Sequence, residues 1–165
     1  MTQLTYNNDL AIAFPGMLAD LSPRNDVLSL ASEEATSFPY GVAVVAGTDP
    51  DKQALLPTGA ANLVGIAAHS HANEVGADDA NLVDDERVFN VLHVGRIYVQ
   101  PEDTLATGAA VFVRVSAGGG GSQLGSFRSD ADTATALAAT GVRVIRGGTS
   151  SVPAVLEIDP GASIA

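Results

Sequence analysis

Apolar residues along this chain recur at every second position far more often than at every third or fourth, and that period predicts strands. In RVFNVLHV, Val88, Asn90, Leu92 and Val94 fall on one face and Phe89, Val91 and His93 on the other. In AVFVRV, Val111, Val113 and Val115 alternate with Phe112 and Arg114. The segments DVLSLA (26–31), GVAVVAG (41–47), NLVGIAAH (62–69), GRIYVQ (95–100), GVRVIR (141–146) and VPAVLEI (152–158) bring the total to about eight short strands. Between them, GTDPDKQ, LPTGAAN, VQPEDTLATG and RGGTSS set Gly or Pro beside Asp, Ser or Thr, the composition of turns within one domain. The spacing predicts an all-β sandwich or barrel.

The one helical candidate is DLAIAFPGMLADL, and Pro15 with Gly16 limits it to a short turn. Residues 1–20 are therefore expected to form an N-terminal arm or docking segment, and 21–165 a single β domain. An apolar arm with few strand partners tends to find another surface.

Composition changes this picture by subtraction. The chain has no Cys and no Trp, so thiol chemistry, disulfides and thiolate metal sites are excluded, and the core is aliphatic and small-grained. Nineteen Asp and Glu stand against eight Lys and Arg, a formal charge of −11. Such a chain lacks the cations that displace counterions from a phosphate backbone, so no direct nucleic-acid partner is expected. The first basic residue is Arg24, so the secretory start pattern is missing, and no apolar run reaches membrane-spanning length. Synthesis in a cytoplasm, with no membrane partner, is the expectation.

The stretch VRVSAGGGGSQLGSFRSDADTATA (113–136) poses the main chemical question. A phosphate loop would need a helix and a Lys after its glycines; here Phe127, Arg128 and an irregular polar run follow instead. Strands on both sides make it a long hairpin-like loop. His69, His71 and His93 could in principle hold a zinc ion with one open position, but surface histidines at a strand end account for the first two. Asp78, Asp79, Asp84, Asp85 and Glu86 read as a solvated acidic edge without calcium-loop spacing. Asp130 and Asp132 begin like an EF-hand loop, yet Gly141 stands where the bidentate Glu belongs. No GxSxG elbow occurs, aromatic residues for a glycan cleft are few, and no enzyme, metal or cofactor is expected.

AFPGMLADLSP, FPYGVAVVAGTD, LVGIAAHSH, HVGRIYVQPEDTLATGAAVFVR and above all GGGGSQLGSFRSDADTATA, leading to VPAVLEI, together resemble the structural cement proteins of tailed bacteriophages over nearly the whole chain. The resemblance implies a jelly-roll-like β domain that decorates the capsid exterior of the virion and contacts the phage major capsid protein. It also implies locking of neighbouring shell subunits against internal DNA pressure, and it carries no catalytic residues over to this chain. A clamp of this kind acts by burying surface across joints, which favours the bound state by mass action. The expected assembly is a homo-oligomer, a dimer or a trimer. Interface residues are expected at Phe14, Met17 and Leu18 (with Pro15) in the arm, and at Phe127 and Arg128 in the loop, residue types that anchor interfaces. Two alternatives stay open at this point: a small-molecule or carbohydrate-binding β domain for receptor binding at the virion surface, and a metalloenzyme using His69, His71 and His93.

Overall fold

A computed structural model of the chain describes residues 13–20, 25–69, 82–116 and 122–165, and among these it is all-β. The strands are β1 (Asp26–Ser32), β2 (Phe38–Pro39), β3 (Ala43–Ala46), β4 (Gln53–Leu55), β5 (Ala61–Ala68), β6 (Leu82–Val83), β7 (Val88–Val99), β8 (Val111–Arg114), β9 (Phe127–Arg128), β10 (Ala136–Arg146) and β11 (Ala154–Ile164). Nine of them form one sheet in the order β1-β4-β3-β5-β7-β11-β10-β8-β9, while β2 and β6 pair separately. Because β1 also pairs with β7, the strands β1, β4, β3, β5 and β7 close into a ring. Within the ring, closure removes the exposed edges that an open sheet would carry, while β9 stands at the far end of the sheet beside β8.

The core divides in two, and three strands serve both halves. One cluster takes Leu30, Val44, Ala54, Ala67, Phe89 and Val91, at least one residue from every strand of the ring, together with Phe38 and Val83. Phe38 and Phe89 meet edge to face at 5.6 Å, the arrangement favoured by ring quadrupoles. The second cluster gathers Ala43, Val45, Leu63, Ile66, Ala68 and Leu92 with Val111, Val113, Phe127, Val142, Val144, Leu156 and Ile158 from β8 to β11. Alternate residues of β3, β5 and β7 thus point into different cores. That is why GVAVVAG and LVGIAA read as unbroken apolar runs, whereas a half-exposed strand would alternate with polar residues.

Several sequence expectations are revised. GRIYVQ is not a separate strand: it continues RVFNVLHV as the distal half of β7, and the chain changes partners at Gly95. Residues before it pair with β1 and β5, and Gly95–Val99 pair with β11. Gly95 has φ +134°, and a side chain there would collide with Asn25 Oδ1 at 2.2 Å, so only glycine allows the bend. GTDPDKQ, read as a turn, already contains the start of β4, which runs parallel to the end of β1. β10 begins at Ala136, five residues before GVRVIR, and β11 runs on to Ile164.

Part of the expected arm is tied down. The Gly16 N–H donates to Tyr98 O (2.8 Å), the Tyr98 N–H to Met17 O (2.8 Å) and the Ala19 N–H to Arg96 O (2.9 Å), so residues 16–19 extend the sheet beside distal β7. Residues 1–12 lie outside the described residues.

Candidate functional site

The most organised polar group among the described residues is a knot of two arginines and four acids at the end of β8 and β9. β8 places Val111 and Val113 in the core, so alternation turns Arg114 to the opposite face, and loops cover it there until it is 2 % exposed. Its guanidinium donates through Nε and Nη2 to Glu102 (2.6–2.9 Å), through Nη1 to Thr135 Oγ1 (2.9 Å) and through Nη2 to Asp132 (2.7 Å). Arg128, one residue past Phe127, donates to Glu102 and Asp132 (both 3.0 Å) and to Asp130 (2.8 and 3.1 Å). Asp103 is held by the Ser129 N–H (2.9 Å) and hydroxyl (2.6 Å) and lies 4.0 Å from Arg128. Fork-shaped, charge-assisted contacts of this kind fix geometry as well as energy.

The knot moves its members' protonation in the expected sense. Hydrogen bonding to Glu102 holds Arg114 protonated beyond even its ordinary range, despite the opposing effect of burial. The Arg114 hydrogen bond, then Thr135, holds the Asp132 carboxyl below the usual carboxylate value. A depressed carboxyl adds stability that is present above its unfolded pKa, near 4, and lost as pH falls through the lower folded value. Thermal stability should therefore decline on acidification below about pH 4, and Asp132→Asn should flatten that decline. An unchanged acid profile in Asp132→Asn would show that the carboxylate is not coupled to folding.

Beside the knot lies a cleft of about 690 Å³. Its walls come from Pro15, Pro39, Tyr40, Val42 and Pro101, and Glu102, Asp103 and Arg128 stand on its rim. The loop that carries the four glycines joins β8 to β9, which pair antiparallel (Phe112↔Arg128, Val113↔Phe127), so it is a hairpin connection. Residues 117–121 of it lie outside the described residues. At its far end Gly125 (φ +79°) accepts from the Ala43 N–H at 2.8 Å, and a Cβ there would stand 2.6 Å from Ala43 O. The close approach that glycine permits is made to the chain's own β3.

The expected interface residues are distributed over core and surface. Phe127 is fully buried in the larger core cluster, Arg128 is 12 % exposed within the knot, and Leu18 packs partly buried against the core and bridges to Ile97. Met17 is half-buried, and Phe14 is 37 % exposed. The histidines serve packing: His69 stands edge-on between Phe14 (4.9 Å) and Tyr40 (5.2 Å), and His93 Nδ1 meets Val64 O at 2.6 Å. His71, Asp78 and Asp79 lie outside the described residues, while Asp84, Asp85 and Glu86 form an exposed turn. Among the described residues no three His, Cys, Asp or Glu side chains gather as a metal site, and no helix is long and apolar enough to cross a membrane. Sequence reading missed the knot itself. Its one signal was an arginine on a strand otherwise made of core residues, flanked by the acidic pairs of QPED and SDAD.

Fold and site together define an all-β domain whose charged side chains fasten loops to the sheet. A family model described as Structural cement protein (E217 gp24/Pam3 gp6) matches residues 2–159, and the chain belongs to that family of phage cement proteins. That family membership supports a structural role in the phage virion. A chain of the solved structure "The capsid of Myoviridae Phage XM1" is similar with a TM-score of 0.71 and 14 % identity, covering 97 % of this chain and 98 % of that one. At that identity the likeness speaks for the fold alone. No curated protein matches the sequence significantly.

Proposed function

We propose that this protein binds the outer surface of a phage capsid and cements neighbouring major capsid subunits, stabilising the head against the pressure of packaged DNA. The observation that carries this reading is the family match over residues 2–159. The architecture supports it: a ring-closed sheet with a charge-locked corner is a rigid body, and a clamp that is rigid before binding loses little conformational freedom on docking. Met17, bonded to β7 through its carbonyl, and Phe14, 37 % exposed and edge-on to His69, are the arm residues we assign to capsid contact. Phe127 is buried in the larger core cluster, and Leu18 packs against that cluster. Assembly as a dimer or trimer belongs to the same proposal, since repeated copies turn weak contacts into strong attachment.

The test is co-sedimentation with phage shells that lack this protein, run beside a thermal melt of the free protein. Wild type should pellet with shells and raise the temperature at which they release DNA. Phe14→Ala should weaken attachment while the free protein melts within about 2 °C of wild type, as expected for a half-exposed side chain. Wild type that stays in the supernatant at saturating shell concentration would sink the reading.

A further inference from the structure

We propose that the cleft beside the arginine knot receives an extended segment of the capsid partner and holds a Lys or Arg side chain from it against Glu102 and Asp103. This rests on the capsid-binding reading and adds to it a site and a ligand chemistry. A volume of about 690 Å³ lies within the range that encloses a drug-sized ligand. Pro15, Pro39 and Pro101 give walls that are apolar and already rigid, suited to an aliphatic stem or an extended backbone.

The polar rim decides the sign of the ligand. Every nitrogen of Arg128 that carries a donor is already engaged by Glu102, Asp130 or Asp132. The Gln100 side-chain amide donates to Thr149 O and that of Gln123 to Leu124 O. These internal bonds consume donors, whereas each carboxylate keeps lone pairs for further partners. Two guanidiniums face four carboxylates in the knot (Glu102, Asp103, Asp130 and Asp132), an excess of two negative charges. The rim therefore offers acceptors in a negative field, and it is held in place before any ligand arrives: Glu102 by both arginines, Asp103 by Ser129. Neutral donors line the cleft, the Ser126 and Ser150 hydroxyls among them, but an anion finds no uncompensated positive charge there. A guanidinium or ammonium on a slender stem finds both acceptors and charge.

Four proteins test this in the shell co-sedimentation assay: wild type, Ser150→Trp at the cleft mouth, Asp103→Asn on its rim, and Thr58→Trp on the exposed β4–β5 loop as control. Ser150→Trp should bind at least about tenfold more weakly, as blocking a central pocket does. Asp103→Asn should bind about threefold more weakly with a shallower dependence on salt. Thr58→Trp should match wild type. Binding of Ser150→Trp within twofold of wild type, or an equal loss in Thr58→Trp, overturns the proposal. A second measurement uses no shells: the tripeptide acetyl-Pro-Arg-Pro-amide, titrated into isotope-labelled wild type, should shift the amide resonances of Gly41, Val42, Gln100, Glu102 and Ser126. Shifts confined to other acidic surface, or none, also overturn it. If wild type fails to bind shells but the tripeptide shifts those amides, the capsid reading fails and the cleft's preference for a cationic side chain stands.

Discussion

Arg114→Met lowers stability by about 3 kcal/mol, which in a protein of this size is a fall of roughly 6–12 °C in melting temperature. The side chain is 3 % exposed and is the shared partner of Glu102 and Asp132. Methionine fills much the same volume, so the loss does not come from a cavity. It comes from leaving Glu102, itself only 19 % exposed, with one guanidinium where it had two. The double variant Arg114→Met with Glu102→Gln should recover part of the loss, because neutralising the stranded acid removes what the arginine had balanced. Arg114→Lys should fall between, keeping the charge but not the fork. A melt of Arg114→Met within 1 °C of wild type would show that the knot contributes nothing net.

Phe127→Ala is the larger perturbation, at about 4 kcal/mol, from lost burial and the cavity left behind. The ring is fully buried in a cluster drawn from β3, β5, β7, β8, β10 and β11, and β9, only two residues long, has this one side chain in the core beside its pairing with β8 and the Arg128 ion pairs. Urea unfolding should show the midpoint displaced with little change in slope. If β9 shifts, Arg128 shifts with it, and the corner held by Glu102, Asp130 and Asp132 loosens. Phe127→Ala with a midpoint like that of Phe14→Ala would show that the buried placement of Phe127 is wrong.

The strands were legible where alternation or an unbroken apolar run marked them: β1, β3, β5, β7, β8, the later part of β10 and the earlier part of β11 lie within two or three residues of their expected places. What escaped had a physical reason in each case. β2, β6 and β9 are two residues long and carry no period. β4 is defined by parallel pairing to a distant strand, with turn residues crowding its start. The first half of β10, ALAAT, is mostly part or fully exposed and has a single large apolar residue, Leu137, too few to signal a strand. The site was legible only in pieces. QPED and SDAD were visible as acid-bearing turns, but Glu102 and Asp132 are thirty positions apart and meet only because β8 and β9 carry Arg114 and Arg128 between them. In the sequence, Phe127 and Arg128 beside the glycine-rich stretch read as residue types that anchor interfaces. What sequence could not show was that the hairpin folds back, through Gly125 on Ala43, and puts the phenylalanine inside.

The sharing of β3, β5 and β7 between two cores has a consequence for how the molecule can come apart. A strand lined on both sides has no side from which it can be peeled, so opening either cluster strips the other of one wall. Partial opening is then nearly as costly as complete unfolding. The amides of Ala43–Val45, Ile66–Ala68 and Val91–Leu92 become the last to exchange with solvent, at the rate of the global event. The two-core body so built has almost no half-open forms for a protease to enter, and under the capsid-exterior role we propose, a particle protein exposed between hosts gains from that more than from any single strong contact.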